Sequence, residues 1–244
     1  MRLVPLPDGF PRGIRSCHLL PETSSMNGKL INDCFDAAYV ALVTHTDEIA
    51  QLDQQIGDGD HIYNLMRGLE ALRAIRPQIE TAEFGEALRL AANKVLSTVG
   101  GSSGPLLASL LLGMSRAAPQ ECTAAGIANM YAAGVEALQQ RGKTGKGSKT
   151  MMDVLIPVTE RFLELVDRGA PVDEILVELP REAERGMQST RDMLALKGRA
   201  SFLGERSRGH IDPGARSSQV IITALCAHIA DSREPTEPYH EKVS

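Results

Sequence analysis

The chain has 244 residues, 43% of them hydrophobic, and a formal net charge of -5, which fits one large domain or two small ones with a sizeable core. The acidic balance argues against a nucleic-acid partner, since phosphate backbones need clustered Lys and Arg, and no apolar run reaches the roughly 18 residues of a membrane span. Cys17, Cys34, Cys122 and Cys226 lie far apart with no CxxC pair, which argues against a zinc site or a disulfide framework and fits a reducing cytoplasm.

Residues 1–25 hold Pro5, Pro7, Pro11 and Pro21 with Gly9 and Gly13, and no sustained apolar period. They read as a disordered leader or a mis-assigned start, with Met26 as the functional start. A loose tail over 232–244 carries Pro235 and Pro238 among charges. The folded domain is then 26–231, and it divides into eight helical stretches. The first, 27–50, places Leu30, Cys34, Ala37, Ala38, Ala41 and Leu42 at helical spacing. The others are 61–75, 81–98, 103–117, 122–140, 148–168, 172–196 and 214–230, with Gly just past several ends. Pro180 predicts a kink or break in the seventh. Val220-Ile221-Ile222 has strand propensity, but its Ala-rich continuation favours helix. No βαβ alternation occurs, so a doubly wound nucleotide fold is disfavoured. With no Trp and 4% aromatics, the core should consist of Leu, Ala, Ile, Val and Met.

Four connections break the helical pattern. Between the first two stretches runs Leu52-Asp53-Gln54-Gln55-Ile56-Gly57-Asp58-Gly59-Asp60-His61. Crowding Asp53, Asp58 and Asp60 is costly unless a cation sits among them, and hard oxygen ligands on a glycine-bearing loop suit magnesium or calcium. An EF-hand fails, because its twelfth position is Leu69 rather than Glu. The competing reading is a solvated turn with Asp60 as N-cap of the next helix.

Gly100-Gly101-Ser102-Ser103-Gly104-Pro105 opens the fourth stretch. Free N–H groups at a helix start and two hydroxyls make an anion site. An ordinary turn with Ser103 as N-cap and Pro105 in the first turn explains the same residues, and such turns are frequent. Gly142-Lys143-Thr144-Gly145-Lys146-Gly147-Ser148-Lys149-Thr150 looks like a phosphate loop. It lacks Lys after Gly147 and follows a helix, so it is not a Walker loop. It reads either as a flexible basic loop or as a wall beside a nucleotide, with Lys149 and Thr150 starting the next helix. The last connection carries Arg199, Arg206, Arg208, His210 and Asp212 in a glycine-rich run that Phe202 and Leu203 suggest is packed. Arginine forks suit phosphate oxygens; the bland alternative is a structural loop held by an Arg206–Glu205-type network.

Together these strings resemble the L-subunit family of dihydroxyacetone kinases. They are Leu-Asp-x-x-Ile-Gly-Asp-Gly-Asp-His, Gly-Gly-Ser-Ser-Gly-Pro-Leu, Lys-Thr-Met-x-Asp, and Gly-Arg-Ala-Ser-Phe-Leu-Gly-Glu-Arg-Ser followed by Gly-His-x-Asp-Pro-Gly-Ala. They occur in the family's order over most of 27–230. The resemblance implies an all-α barrel of eight antiparallel helices with a nucleotide site at one end. It implies that Asp53, Asp58 and Asp60 hold Mg2+ against the phosphates of ADP or ATP. It also implies that His61, Asn64, Ser102 and Ser103 line the nucleotide, with Gly142, Met151, Arg199 and Asp212-Pro213-Gly214 closing around it. The triose would sit on a separate K subunit. ATP would be an exchangeable substrate, or ADP a bound cofactor rephosphorylated by a phosphotransferase-system phosphocarrier protein. A homodimer stays open, and so does an ADP–Mg-containing regulatory module that contacts another protein. One departure is Ile62-Tyr63, where the family usually has Gly after the His. That bulky pair is expected to reshape the nucleotide pocket.

Overall fold

The computed structural model describes residues 26–233, so the expectations for 1–25 and for most of the 232–244 tail lie outside the described residues. Among the described residues there are ten α-helices and no strand. They are α1 (Gly28–Thr44), α2 (Thr46–Ile56), α3 (His61–Ala74), α4 (Arg76–Glu80), α5 (Phe84–Thr98), α6 (Ser103–Arg116), α7 (Ala124–Gly142), α8 (Met152–Asp167), α9 (Val172–Ser189) and α10 (Pro213–Asp231). Two 3-10 segments, Thr190–Asp192 and Arg199–Ser207, fill the connection before α10.

Eight of these helices form a closed ring. Each of α1, α3, α5, α6, α7, α8, α9 and α10 packs on the next, and α10 returns to α1. The short helices α2 and α4 are the two additions to the eight stretches expected from the sequence. The first stretch splits at His45 (φ -107°, ψ 12°). There the His45 ring and the Thr46 hydroxyl bond to the carbonyls of Ala41 and Leu42, and such local bonds compete with the helical ladder. Pro77 in the first turn of α4 suits a separate helix start, so α5 begins at Phe84 rather than at 81. Helix α9 runs through Pro180 without a break but stops at Ser189, well short of 196. Residues 220–222 lie inside α10, as helix.

Apolar faces at 3.6-residue spacing fill the ring. The largest cluster joins Leu138, Met152, Val154, Phe162, Leu165, Ile175, Leu179 and Ile222. A second gathers Ile31, Leu72, Ile79, Phe84, Leu88 and Val95. Each fully buried Ile or Leu stabilises by about 1.5–3 kcal/mol. Cys34 and Cys226 are free thiols. Burial pushes Cys34 and Cys226 up to about 12, so both stay protonated and inert. None of the helices among the described residues is long and apolar enough to cross a membrane.

Candidate functional site

The three aspartates converge. Asp53, Asp58 and Asp60 each offer a carboxylate oxygen, and these oxygens lie within 4.8 Å of one another. Asp53 sits in the last turn of α2 and is buried, whereas Asp58 and Asp60 are exposed. The Asp53 carboxylate accepts the His61 N–H at 3.0 Å. It therefore caps α3 from eight residues upstream. Asp60, the expected N-cap, makes no side-chain cap bond, which leaves its carboxylate facing the cluster. Gly57 is required here, because a Cβ would stand 2.1 Å from Asp53 Oδ1.

Arg199 reaches this cluster from 139 residues away. Its guanidinium pairs with Asp58 and lies 3.5 Å from Asp60. The segment that carries it is packed, as expected: Ala200 and Leu203 lie in a small apolar cluster with Ile56 and Ala195. The buried Ser207 hydroxyl accepts the Ala195 N–H and donates to the Gly204 carbonyl. In place of the Arg206–Glu205 pairing of the bland alternative, Arg208 donates to Glu205 at 2.8 Å and to the Asp192 carbonyl. Phe202 itself is 90% exposed.

His61 is half-buried, with Nε2 2.9 Å from the Ser217 hydroxyl on α10. Desolvation lowers its pKa, against the pull of Asp53 and Asp60. Asn64 is buried and accepts from Arg67. Ile62 does not face a pocket. It is fully buried in a cluster with Leu42, Ile49, Leu65 and Val220, while Tyr63 is half-exposed. Ile62 thus belongs to the core, and of the pair Tyr63 reaches the surface. Position 62 falls on the apolar stripe of α3, so a β-branched side chain packs inward there.

A second wall stands at the start of α10. Pro213 is its first residue, and the Asp212 carboxylate accepts the Ala215 N–H at 2.8 Å. Burial pushes Asp212 up to about 7, although the Ala215 N–H and Lys149 pull it down. Gly214 faces Met151, and a Cβ there would lie 3.6 Å from the Met151 nitrogen. The Gly142–Thr150 connection is not a flexible loop. The buried Asp153 carboxylate accepts the N–H groups of Gly147 and Thr150. Helix α8 starts only at Met152, because Lys149 takes a left-handed φ of 58°.

The glycine–serine turn is the third part. Ser102, not Ser103, is the N-cap of α6, and its side chain makes no cap bond. Gly100 and Gly101 border open space. Gly142 lies beside this helix start, where a Cβ would stand 3.2 Å from Leu106 Cδ2. Leu107 packs against the cluster that holds Ile62 and Val220, which sets the start of α6 near the starts of α3 and α10. The hydrogen bonds of the aspartates run to His61 and Arg199, not to Ser102 or Ser103. Sequence reasoning named all these segments but passed over Ser217, Lys149 and Asp153 as site components. The Lys-Thr-Met-x-Asp string carried the last two without revealing their partners.

Three hard carboxylate oxygens within 4.8 Å, one on a buried and oriented aspartate, fit a divalent cation. An uncapped helix start bordered by glycines fits an anion.

The DAK2 domain model matches residues 55–227. A Listeria innocua protein named PEP-dependent dihydroxyacetone kinase 1, ADP-binding subunit DhaL, is 40% identical over 72% of this chain and 84% of its own. An Escherichia coli protein, the ADP-binding subunit DhaL of a PEP-dependent dihydroxyacetone kinase, is 38% identical over 75% of this chain and 88% of its own. A D-erythrulose kinase of Mycolicibacterium smegmatis is 31% identical, and there the match covers 38% of the relative. The crystal structure of the dihydroxyacetone kinase of C. freundii superposes with a TM-score of 0.63 at 18% identity, over 93% of this chain and 38% of that one.

Proposed function

This chain belongs to the DAK2-domain family, and from that premise we propose that it is the ADP/ATP–Mg2+-holding subunit of a dihydroxyacetone-type kinase. It would pass a phosphoryl group to a short-chain keto-sugar held by a separate K subunit. The observation that carries this reading is the convergence of Asp53, Asp58 and Asp60 with Arg199 at the loop end of the ring.

In this reading Asp53, Asp58 and Asp60 hold magnesium. His61, Asn64, Ser102, Ser103, Gly142, Met151, Arg199, Asp212, Pro213 and Gly214 line the nucleotide. When bound, magnesium held by these carboxylates would supply positive charge against that of the phosphate oxygens. The protein's own part is positioning and charge. The His61 N–H orients the Asp53 carboxylate. Arg199 presents a planar fork beside Asp58 and Asp60, suited to phosphate oxygens that come to lie there. The backbone N–H groups at the start of α6, free of a side-chain cap, can donate to an anion. No covalent intermediate on this chain is needed.

The relatives named as ADP-binding subunits of PEP- or PTS-dependent kinases are 35–40% identical to this chain. Those named as dihydroxyacetone or erythrulose kinases are 29–31% identical. This contrast favours ADP as a retained cofactor, rephosphorylated by a phosphotransferase-system phosphocarrier, over exchangeable ATP. The site of action is then the cytoplasm, where such carriers work.

The test has two steps. Native mass spectrometry of the purified chain should find retained ADP and magnesium. The pure chain should not phosphorylate dihydroxyacetone from ATP, but with a K subunit and a phosphorylated phosphocarrier as donor it should support that phosphorylation. Turnover by the chain alone would overturn the half-site reading. Retained ADP with no turnover beside any K subunit would point instead to a regulatory module.

A further inference from the structure

Lys149 is fully buried. Its ammonium donates to the carbonyls of Thr190 and His210, and lies 3.4 Å from that of Arg191. An ammonium has three protons and no acceptor capacity, so these three carbonyls use all it offers. None is left for a phosphate. The three carbonyls share a feature: they flank the two ends of the connection that carries Arg199. Thr190 and Arg191 precede it and His210 follows it. The neck between them is closed by the Gly209 N–H on the Arg191 carbonyl at 2.8 Å and by Arg208 on the Asp192 carbonyl at 2.6 Å.

The neck is coupled to both parts of the site. On one side the connection runs out to Arg199 and its aspartate partners. On the other, the Thr190 hydroxyl accepts the Asp212 N–H at 3.0 Å, just where Asp212 caps α10. The backbone around Lys149 is held as firmly as its side chain. The Ser148 carbonyl accepts the Leu196 N–H at 3.2 Å. Asp153 holds the N–H groups of Gly147 and Thr150. The left-handed φ of 58° at Lys149 is disfavoured for a non-glycine residue, so surrounding contacts must maintain it.

We propose that Lys149 is a positioning residue that pins the neck of the 192–209 loop, and so holds Arg199 and the Asp212 turn in the geometry that a nucleotide–magnesium ligand requires. The inference rests on the nucleotide reading above. It separates this lysine from a phosphate-binding one: Lys149 acts through Arg199 and Asp212 and touches no ligand.

The test uses the full chain and three variants. Lys149→Gln removes the charge and one of the three donors, and its amide ends one bond short of the ammonium position. Thr190→Val is close to isosteric and cuts the link to Asp212. Leu179→Ala opens the distal core and serves as the control for general destabilisation. ADP affinity is measured by calorimetry in saturating magnesium, well below every melting midpoint, with amide hydrogen exchange on ligand-free protein in parallel. Lys149→Gln should weaken ADP binding by about tenfold or more, since misplacing preorganised groups costs affinity. Thr190→Val should weaken it less, and the double variant should be non-additive, as for residues of one network. The amides of Leu196, Gly209 and Asp212 should exchange faster in both, relative to those of α8. Leu179→Ala should lower the melting temperature and leave affinity unchanged. If the parent binds ADP–magnesium and Lys149→Gln binds equally well, Lys149 is a structural staple only and the inference falls. If Lys149→Gln does not fold, unchanged affinity in Thr190→Val overturns it. A parent that binds no ADP–magnesium fails the nucleotide reading itself, and this inference with it.

Discussion

Two glycine-rich charged loops face the same end of the helical ring, and they use charge in opposite ways. The 57–60 loop leaves Asp58 and Asp60 exposed, opposite an arginine that is itself 59% exposed. The 143–150 connection buries Lys149 completely and satisfies its ammonium with main-chain carbonyls. Exposed ion pairs contribute little to stability, so the first loop can exchange its arginine contacts for a ligand at small cost. A buried ammonium without partners is expensive, so the second loop cannot rearrange without disturbing the fold. One loop is built to bind and the other to hold.

The largest expected effect attacks the holding loop. Asp153→Ala strips acceptors from the Gly147 and Thr150 N–H groups beside the buried lysine. At about 1.5–3 kcal/mol for each hydrogen bond to a charged group, the loss should be about 3–6 kcal/mol. Urea unfolding measures it; a loss below about 1 kcal/mol, the usual size of a surface change, would remove the contrast between the loops. The binding loop should behave in reverse. Asp58→Asn or Asp60→Asn should reduce magnesium-dependent ADP affinity by about 100-fold or more, which is about 2.7 kcal/mol. The ligand-free melting temperature should barely move. Calorimetry showing parental affinity in both variants would sink the metal assignment.

A thermal-shift matrix of ADP against magnesium, on nucleotide-stripped protein, sharpens the comparison. The aspartates need a cation and the α6 start needs an anion, so each ligand should favour the other. At 100 times the dissociation constant the joint ligand stabilises by about 2.7 kcal/mol. For a chain of this size that is a rise of about 5–10 °C. Independent, additive shifts would mean that no shared phosphate–metal site exists.

The smallest effect concerns pH. Burial holds Asp212 at about 7, above its ordinary 3.8, so the folded state grips that proton more tightly than the unfolded one. The resulting stabilisation is fully present below about 3.8 and is lost as pH rises through about 7. Asp212→Asn keeps an acceptor for the Ala215 N–H and cannot ionise. Its stability relative to the parent should rise between pH 5 and pH 8, read as urea midpoints. A difference that stays flat with pH would show that Asp212 titrates as an ordinary carboxylate.

Much of this architecture is legible in the chain itself. Apolar residues recur at helical spacing, and this periodicity is a local property of the backbone. It located six of the eight ring helices to within about four residues at each end. It missed the break at His45, where side-chain bonds to Ala41 and Leu42 interrupt a pattern that continues on both sides. It also carried α9 on to 196, past the Ser189 terminus: the polar 3-10 turn Thr190–Asp192 ends the helix, and Ala195 beyond it packs in the cluster around Ile56. The carboxylate loop was legible because three like charges within eight residues demand an explanation by electrostatics alone.

What the sequence could not decide is which distant group meets which. Asp53 and Asp60 both suit a helix cap by residue type. Only the fold shows that Asp53 takes the His61 N–H and leaves Asp60 to Arg199. Ile62 reads as a pocket residue by its place in a motif, and only the ring shows that it belongs to the core. Lys149 lies in a string that looks like a phosphate loop, yet its three acceptors are 41, 42 and 61 residues further on. Helix formation is dictated by neighbours within four residues, which any sequence displays. The partners of a buried charge are chosen by loop closure over tens of residues, and only the packed tertiary structure determines those.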